Sequence, residues 1–366
     1  MARHFIQIFR GETKVRTTLN KASILVTGGA GFMGSAFVEH KLAQKDFEGK
    51  LLVLDLLVHT LCEERLKAFN GDARVHFYKG DIADHSVLKE IEKKHGLDYV
   101  VHFAAETHVD KSIHDPFIFV KTNVEKTTRL LDFVRHLSQC HFHHISTDEV
   151  FGSIDEGSFY ETDAYAPNSP YSASKAASDH MVRAFGKTYG LSYTTSHACN
   201  NFGPLQYPEK LLPLMTMHIL QGKPLPIYGN GKQTREWLYV EDHSSGIDAI
   251  LQKGVCGESY NVGSGVEMTN LTLIKKLFKI MKKEGLTCED QVDPLITFVR
   301  DRPGHDFRYS LNCDKLRSLG WAPQYSLEKG LDAMLKSWLT SQGSLESLSR
   351  DKAYIAWVEK QYGVNS

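Results

Sequence analysis

The chain has 366 residues, of which 42% are hydrophobic and 24% are charged, which is typical of a globular protein with one large or two closely associated domains. A net charge of -1 gives no overall attraction to nucleic acid or to an anionic membrane, so locally placed Arg and Lys must hold any anionic ligand. No apolar run approaches the ~20 residues that span a bilayer, and six scattered cysteines favour free thiols in a reducing, cytoplasmic setting.

Residues 1–21 contain basic residues and short apolar pieces but no signal-peptide stretch, and they are predicted to form an N-terminal extension outside the catalytic core. From residue 22 onward, short apolar runs alternate with helical patterns. The predicted strands are 24–27, 51–54, 75–78, 99–103 and 142–145, and the predicted helices include 34–43, 86–94 and 124–136. Because continuous apolar strands alternate with helices, the pattern predicts an α/β fold, a Rossmann-type doubly wound parallel sheet covered on both faces.

Beyond about Asn200 prolines cluster and the alternation breaks down, which predicts a smaller, mixed C-terminal lobe for the substrate. We expect a dinucleotide-binding domain of residues 22–200, to which the chain returns at about 237–262. The second domain would then comprise residues 201–236 and 263–366.

A glycine-rich turn at residues 28–34 follows the first strand and opens the first helix. Glycines at Gly28, Gly31 and Gly34 permit a tight turn and allow a pyrophosphate to sit on the positive end of the helix. Asp55 ends the next strand, where an acid accepts hydrogen bonds from ribose hydroxyls and repels a 2′-phosphate. The pattern therefore predicts NAD, and not NADP, as the cofactor.

Tyr171 and Lys175 lie four residues apart in a helical pattern, so they share one face of the helix. A nearby cation favours a phenolate, which makes Tyr171 a candidate base near neutral pH when the cofactor is bound. The alternative is an ordinary exposed pair, which the upstream dinucleotide motif disfavours.

Thr147, Asp148 and Glu149 follow the strand at 142–145. The carboxyl ends of parallel strands are where open sheets bind ligands, and two adjacent acids there can act as an acid and a base. An isolated Asp-Glu pair is more often a solvated turn, but its position after a strand favours the catalytic interpretation.

These segments together resemble the nucleotide-sugar 4,6-dehydratases of the extended short-chain dehydrogenase/reductase family. The resemblance runs from about Ala22 to the C-terminus. Its motifs are residues 28–34, 102–110, 146–152, 171–175, 200–204, 208–210, 224–229, 234–242, 301–306 and 353–362.

The resemblance implies an NAD-dependent lyase whose expected substrate is dTDP-glucose, with UDP-glucose as the alternative. Tyr171 would take the 4-hydroxyl proton as C4 is oxidised, with Thr147 bonded to that hydroxyl and Lys175 beside the phenol. Glu149 would remove the C5 proton, and Asp148 would protonate the departing C6 hydroxyl before C6 is reduced. The family also implies a homodimer.

The family's binding residues map onto two sets. The set implied for NAD is Gly28, Gly31, Phe32, Met33, Gly34, Asp55, Asp81, Ile82, Ala104, Ala105, Thr122, Tyr171, Lys175 and Asn201. The set implied for the nucleotide-sugar is Thr107, Thr147, Asn200, Lys210, Leu211, Pro226, Tyr228, Arg235, Asn270, Arg302 and His305. Arg235 and Arg302 suit the diphosphate because guanidinium binds phosphate oxygens bidentately, and Tyr362 would close over the site.

Two departures from the family pattern stand out. Leu57, Val58 and His59 replace a Thr-Tyr pair after the ribose-binding acid, and Thr107 replaces a serine.

His141, His143 and His144 suggest a metal at first sight, but two of them fall on opposite faces of a strand and no further ligand completes a set, so no metal is expected.

Two other classes of function stay open at this point. A nucleotide-sugar 4-epimerase or decarboxylase of the same fold shares the glycine turn and the Tyr-Lys pair, but an epimerase has no use for a C6 acid and a C5 base. A catalytically silent NAD-binding sensor could lose Tyr171, Lys175 or Glu149 without penalty, and all three are present.

Overall fold

The computed structural model describes residues 18–59 and 61–340, together with residues 355, 356, 358, 361 and 362. Most of the predicted N-terminal extension and most of the tail motif at 353–362 therefore lie outside the described residues. The strands are β1 (Ser23–Thr27), β2 (Lys50–Asp55), β3 (Val75–Lys79), β4 (Tyr99–His102), β5 (His141–Thr147), β6 (Ser192–Ala198), β7 (Asn200–Phe202), β8 (Leu225–Tyr228), β9 (Thr234–Tyr239), β10 (Ser259–Val262), β11 (Glu267–Thr269) and β12 (Ile296–Val299).

Helices cover the sheet and build the second lobe. They are α1 (Phe32–Ala43), α2 (Leu61–Lys67), α3 (His85–His95), α4 (Val109–His114), α5 (Pro116–Phe119), α6 (Thr127–Val134), α7 (Pro170–Tyr189), α8 (Leu211–Leu220), α9 (Val240–Lys253), α10 (Asn270–Lys283), α11 (Asp314–Ser318) and α12 (Leu327–Thr340). Within the described ranges, every helix is too short or too polar to span a bilayer.

The central sheet has seven parallel strands in the order β10-β6-β5-β4-β1-β2-β3. The predicted Rossmann-type parallel sheet is thus confirmed. Strand order reverses beside β1, which lies between β2 and β4, and open sheets bind ligands at the carboxyl edge of such a switch point. Every residue of β1 and β5 is buried, whereas the edge strand β3 is only partly covered, since it has one neighbour.

The helix predicted at 124–136 differs from the structure. A π-helix at Val120–Lys126 continues directly into α6, so the helical segment begins and ends earlier than the periodicity indicates. The buried side chain of Asn123 exchanges two hydrogen bonds with the Glu106 backbone, of 2.9 and 3.0 Å, which ties this wider turn to the loop after β4. Such π-turns often lie at functional sites.

Two small sheets stand apart from the central one. β11, β9 and β7 form one, and β12 pairs with β8 in the other. Two hydrophobic clusters pack against the two faces of the central sheet, and a third joins β7, β8 and β9 to helices α8, α10 and α12. β10 belongs to the central sheet while β9 does not, and the predicted division into two domains stays a prediction.

Candidate active site

A cavity of about 540 Å³ opens at the carboxyl edge of the central sheet, at its switch point. Twenty of the predicted site residues line it, from the glycine-rich turn at one end to the residues after β5 at the other. These are Gly28, Gly31, Phe32, Met33, Gly34, Asp55, Asp81, Ile82, Ala104, Ala105, Thr107, Thr122, Thr147, Asp148, Glu149, Tyr171, Lys175, Asn200, Asn201 and Lys210.

The glycine-rich turn brings β1 against the end of β4. Gly28 has φ +66°, and a Cβ there would lie 2.7 Å from the Ala104 nitrogen, so only glycine fits. Gly31 is the N-cap of α1 and makes no side-chain capping bond, so the first N–H groups of the helix are left without an intrahelical partner. The first residues of this helix line the cavity. This combination of a bare helix N-terminus and a close backbone approach fits the pyrophosphate of a dinucleotide.

Asp55 provides the acid beside this turn. Its carboxylate accepts hydrogen bonds from the backbone nitrogens of Ala30 (3.1 Å) and Leu57 (2.8 Å) and lines the cavity. Farther along, Lys126 donates to Asp81 at 2.5 Å. An anchored carboxylate at the end of β2 suits ribose hydroxyls, and the residues present therefore fit NAD.

Thr147 ends β5, and the next three residues, Asp148–Val150, turn as a 3-10 helix. The Thr147 hydroxyl donates to Asp148 Oδ1 at 3.2 Å and accepts from the Glu149 nitrogen at 3.3 Å. Both acids line the cavity.

The two acids experience different surroundings. Asp148 is 2% exposed, and burial, then the Glu149 charge, raise its pKa well above the ordinary aspartate value. Burial also raises the pKa of Glu149, but three cations oppose that shift, namely Arg302, Arg235 and Lys210. A carboxyl that nearby cations partly stabilise as a carboxylate, beside one whose pKa is raised further by a neighbouring negative charge, is an arrangement that suits a base and an acid.

Helix α7 places the Tyr-Lys pair against these acids. It begins with a capping box of Ser169 and Ser172, with Pro170 in the first turn. Tyr171 is buried and lines the cavity together with Thr147 and both acids. Lys175 donates to the Ile145 carbonyl oxygen at 2.7 Å, and burial lowers its pKa to about 8.

The phenol itself is far from ionised in these surroundings. Burial and the Glu149 charge raise the pKa of Tyr171, and the Thr147 hydroxyl acts in the opposite direction. The expectation that Tyr171 serves as a base near neutral pH therefore depends on the positive charges of Lys175 and of a bound oxidised nicotinamide, and it stays a prediction.

Seven predicted nucleotide-sugar residues lie outside the lining of this cavity: Leu211, Pro226, Tyr228, Arg235, Asn270, Arg302 and His305. Tyr228 and Arg302 meet at Asp110, with the phenol donating to Asp110 Oδ2 at 3.1 Å and the guanidinium 3.6 Å from Oδ1. The ring of His305 lies 6.0 Å from that of Tyr228, and the ring of Tyr362 lies 5.6 Å from it.

Arg235 is anchored differently. Its guanidinium donates to the carbonyl oxygens of Thr234, Asp306 and Phe307 and stacks on the Tyr309 ring at 4.2 Å. Arg235 and Arg302 both act on Glu149, so this cationic region adjoins the acid pair.

Leu211 and Asn270 each begin a helix, at α8 and α10, and Pro226 is buried in β8. The structure therefore distributes these three residues over the second lobe. Their predicted contact with the nucleotide-sugar stays a prediction.

Sequence reasoning missed two buried groups beside the site. Asp179 accepts from Ser146 at 2.8 Å and lies 3.1 Å from His144 Nε2, directly behind Lys175. The sequence did indicate this position, because Asp179 follows Lys175 by four residues and therefore shares its helix face.

Arg65 of α2 is the second missed group, and it lines the cavity. It donates to the Ala30 carbonyl oxygen in the glycine-rich turn (3.2 Å) and to the Leu205 carbonyl oxygen in the second lobe (2.5 Å). We call this connection the Arg65 bridge. Leu205, which accepts from Arg65, and Leu57, which follows β2, hold the strained φ values of +53° and +56°. No local pattern in the sequence indicates a contact over such a separation.

The histidines of β5 do not gather around a metal-binding point. His143 shares hydrogen bonds with the hydroxyls of Thr194 and Ser196, at 2.8 and 3.1 Å. In the described part of the chain, no three side chains of His, Cys, Asp or Glu are arranged to hold a metal ion.

Comparison with known proteins connects this geometry to a family. The family model described as GDP-mannose 4,6 dehydratase matches residues 25–334. A dTDP-glucose 4,6-dehydratase of Xanthomonas campestris is 44% identical over 337 residues, covering 88% of this chain and 94% of its own length. The dTDP-glucose 4,6-dehydratase 1 of Escherichia coli is 41% identical over 363 residues, covering 93% and 98%.

Solved structures agree with these relatives. The dTDP-glucose 4,6-dehydratase DesIV of Streptomyces venezuelae, crystallised with NAD, superposes with a TM-score of 0.82 at 41% identity, covering 89% of this chain and 99% of that one. The UDP-glucose 4-epimerase of Thermus thermophilus with NAD is more distant, at 27% identity and a TM-score of 0.76, covering 87% and 99%. The resemblance inferred from the motifs is confirmed, and the chain belongs to the nucleotide-sugar 4,6-dehydratase family, among the dTDP-glucose 4,6-dehydratases.

Proposed function

We propose that this chain is an NAD-dependent lyase that converts dTDP-glucose to dTDP-4-keto-6-deoxyglucose and water. The observation that carries the proposal is that Asp148 and Glu149 share one cavity with Tyr171, Lys175 and the glycine-rich turn. A redox enzyme of this fold needs only the Tyr-Lys pair and the dinucleotide. The additional pair of acids equips the site for elimination.

The first step concerns the 4-hydroxyl group of the sugar. Tyr171 accepts its proton, Thr147 orients it, and the Lys175 cation stabilises the phenolate. NAD, when bound, supplies the oxidation at C4 and the later reduction at C6. Because Tyr171 and Lys175 are both buried, the charged form of each is stabilised only when an opposite charge lies close to it within the site.

The ketone at C4 then acidifies the C5–H bond. Glu149, whose pKa burial raises and three nearby cations lower in part, is the proposed base at C5. Asp148, whose buried carboxyl retains its proton, is the proposed acid that protonates the C6 hydroxyl so that water leaves. The different surroundings of the two carboxyls thus match their different tasks.

We further propose that the cationic region of the second lobe holds the diphosphate. Arg302 and Arg235 lie near enough to Glu149 to act on its charge, and Lys210 lines the cavity beside them. Guanidinium groups bind phosphate oxygens bidentately, and Arg235 is already oriented by three carbonyl oxygens.

Incubating the purified protein with dTDP-glucose tests the function. We expect a product lighter by one water with a ketone at C4, identified by mass spectrometry and NMR. Epimerised hexose without dehydration would contradict the proposal and favour an epimerase. UDP-glucose, run in parallel, should be converted with a lower kcat/KM, and the reverse order would reassign the nucleotide.

Glu149→Gln tests the assignment of the base. The change keeps the size of the side chain but removes its basicity, so dehydration should slow by roughly 10²- to 10⁴-fold. NAD binding, measured by fluorescence titration, should not change. Glu156→Gln on the exposed loop after β5 is the matched control and should retain full activity. Unchanged turnover in Glu149→Gln would remove the assignment.

We also propose that the enzyme acts in the cytoplasm as a homodimer. Apolar side chains beside α7 support the dimer, because Phe117 is 83% exposed and Val120 is 53% exposed in the single chain. Sedimentation velocity at increasing concentration should show one species of twice the chain mass.

A further inference from the structure

The region proposed to hold the diphosphate, on which this inference rests, contains a buried acid as well as cations. Asp110 lies in the first turn of α4, and Arg302 lies in the loop after β12. The guanidinium Nη1 of Arg302 is 3.6 Å from Asp110 Oδ1. A cation proposed to bind the phosphates of the substrate therefore has an anionic neighbour within its own protein.

The contact between Asp110 and Arg302 is an ion pair and not a hydrogen bond, because 3.6 Å exceeds the usual N–H···O range. Within the described part of the chain, neither Asp110 Oδ1 nor Arg302 Nε has a hydrogen-bonding partner. Asp110 is 4% exposed, so water and salt screen its charge only weakly. Burial lowers the pKa of Arg302, but the charges of Asp110 and Glu149 outweigh this effect and raise that pKa.

Neutral groups hold the other oxygen of Asp110. Tyr228 donates to Asp110 Oδ2 at 3.1 Å, and Gln361 Nε2 donates to the Tyr228 oxygen at 2.7 Å. His108 Nδ1 lies 4.0 Å from the same Asp110 oxygen, but burial lowers the pKa of this imidazole to about 4. Of the two described side chains that pair with Asp110 as ions, only Arg302 therefore carries a charge at neutral pH.

We propose that Asp110 is a positioning residue that holds Arg302 in the empty site and lowers its affinity for the diphosphate, so that the product can leave. Two anions beside one cation repel each other, and the repulsion is strong where water is excluded. The diphosphate is common to substrate and product. Tighter binding of this group would lower KM without raising kcat and would slow release of the product.

Asp110→Asn, studied in the NAD-loaded protein, tests this inference. Asparagine keeps the shape of aspartate and can accept the hydrogen bond from Tyr228, but it carries no charge. The dissociation constant of dTDP, measured by calorimetry, should fall about tenfold or more, because a weakly screened charge near the bound anion has been removed. KM for dTDP-glucose should fall with it, and displacement of dTDP in stopped flow should slow by a similar factor. Asp110→Ser, a second neutral replacement, should also bind dTDP more tightly.

Thymidine, which lacks the phosphates, separates the effect of charge from a change of shape. Its dissociation constant, measured by ligand-observed NMR, should be the same in the wild type and in both variants. Asp314→Asn removes the acid of another Asp-Arg pair, whose partner Arg317 lies at 3.3 Å on the surface, and should leave dTDP binding unchanged. Unchanged or weaker dTDP binding in both Asp110 variants, or equal tightening for thymidine, would overturn the inference, whereas a wild-type protein that binds no dTDP would instead contradict the proposed function.

Discussion

At the scale of single residues, Asp179 defines the electrostatic setting of the Tyr-Lys pair. Its carboxylate lies within 3.1 Å of His144 Nε2 and 3.4 Å of His197 Nε2. Its charge raises the pKa of Lys175, against the larger effect of burial, which lowers that pKa to about 8. Asp179 is thus a positioning residue that acts on the substrate through Lys175.

Replacing Asp179 with Asn should move the alkaline limit of activity to lower pH. Without the carboxylate, the pKa of Lys175 falls further, so the lysine loses its charge at a lower pH and no longer stabilises the phenolate. We expect kcat/KM to fall about tenfold at pH 8 and less at pH 6.5, since one pKa unit alters the charged fraction tenfold.

A full pH profile distinguishes this effect from structural damage. An equal fall at every pH would show that Asn merely disturbs the packing. Asp155→Asn, in the exposed loop after β5, is the matched control and should leave the profile unchanged.

The catalytic residues were predictable because they follow local rules. Tyr171 and Lys175 are four residues apart on one helix, and the acids come directly after an apolar strand. Asp110 illustrates the limit of such rules. It lies within a family motif, but its pairing with Arg302 and Tyr228 joins three distant segments, and only the folded chain brings them together.

At the scale of elements, the predicted strands of the central sheet are found at their expected places, because β1, β2, β4 and β5 are buried along nearly their whole length, whereas the edge strand β3 is partly exposed. The place of helix α2 in the fold could not be predicted from an apolar pattern in this way. Its function in the fold comes from the Arg65 bridge, whose contact with Leu205 spans 140 positions.

Arg65→Met should weaken the retention of NAD. The change keeps much of the apolar stem but removes the donors that connect the glycine-rich turn to the second lobe. We expect NAD to dissociate about tenfold faster or more, because a buried charged hydrogen bond contributes about 1.5–3 kcal/mol. Stopped-flow fluorescence and the NAD content of purified protein measure this loss.

Lys67→Met, on the exposed face of the same helix, is the control for a lost cation. Its NAD release should match that of the wild type. If Arg65→Met releases NAD at the same rate as Lys67→Met, the bridge has no part in holding the cofactor.

At the scale of the whole molecule, several deeply buried histidines determine the response to acid. Burial lowers the pKa of His102 and His143 well below the ordinary value, that of His108 and His144 to about 4, and that of His243 to about 3. The unfolded chain binds protons at these sites below pH ~6.5, whereas the folded chain does not. Stability is therefore complete above pH ~6.5 and declines as the pH falls toward 4.

Thermal unfolding between pH 7.5 and 5 should show this decline as a falling Tm. Each histidine that stays neutral in the fold contributes a loss of about 2 kcal/mol at pH 5. His243 is suited to a direct test, because it is fully buried and neither ring nitrogen has a hydrogen-bonding partner among the described residues.

The free energy of unfolding should therefore fall by about 2 kcal/mol less between pH 7 and 5 in His243→Leu than in the wild type. His136→Leu, at an exposed position, is the control and should retain the slope of the wild type. If His243→Leu leaves the slope of unfolding free energy against pH unaltered, other groups control unfolding in acid.

The Arg65 bridge has one more consequence, through Cys62 on the same helix. Cys62 lines the cavity, is 2% exposed, and burial raises the pKa of its thiol, so its place in the folded chain shields it from alkylation. Cys256 and Cys288 are exposed and react regardless of what the cavity holds. The ratio of maleimide labelling at Cys62 to labelling at the two exposed thiols should therefore be low, and a rise in this ratio, read from one mass spectrum, would report that the Arg65 bridge has opened.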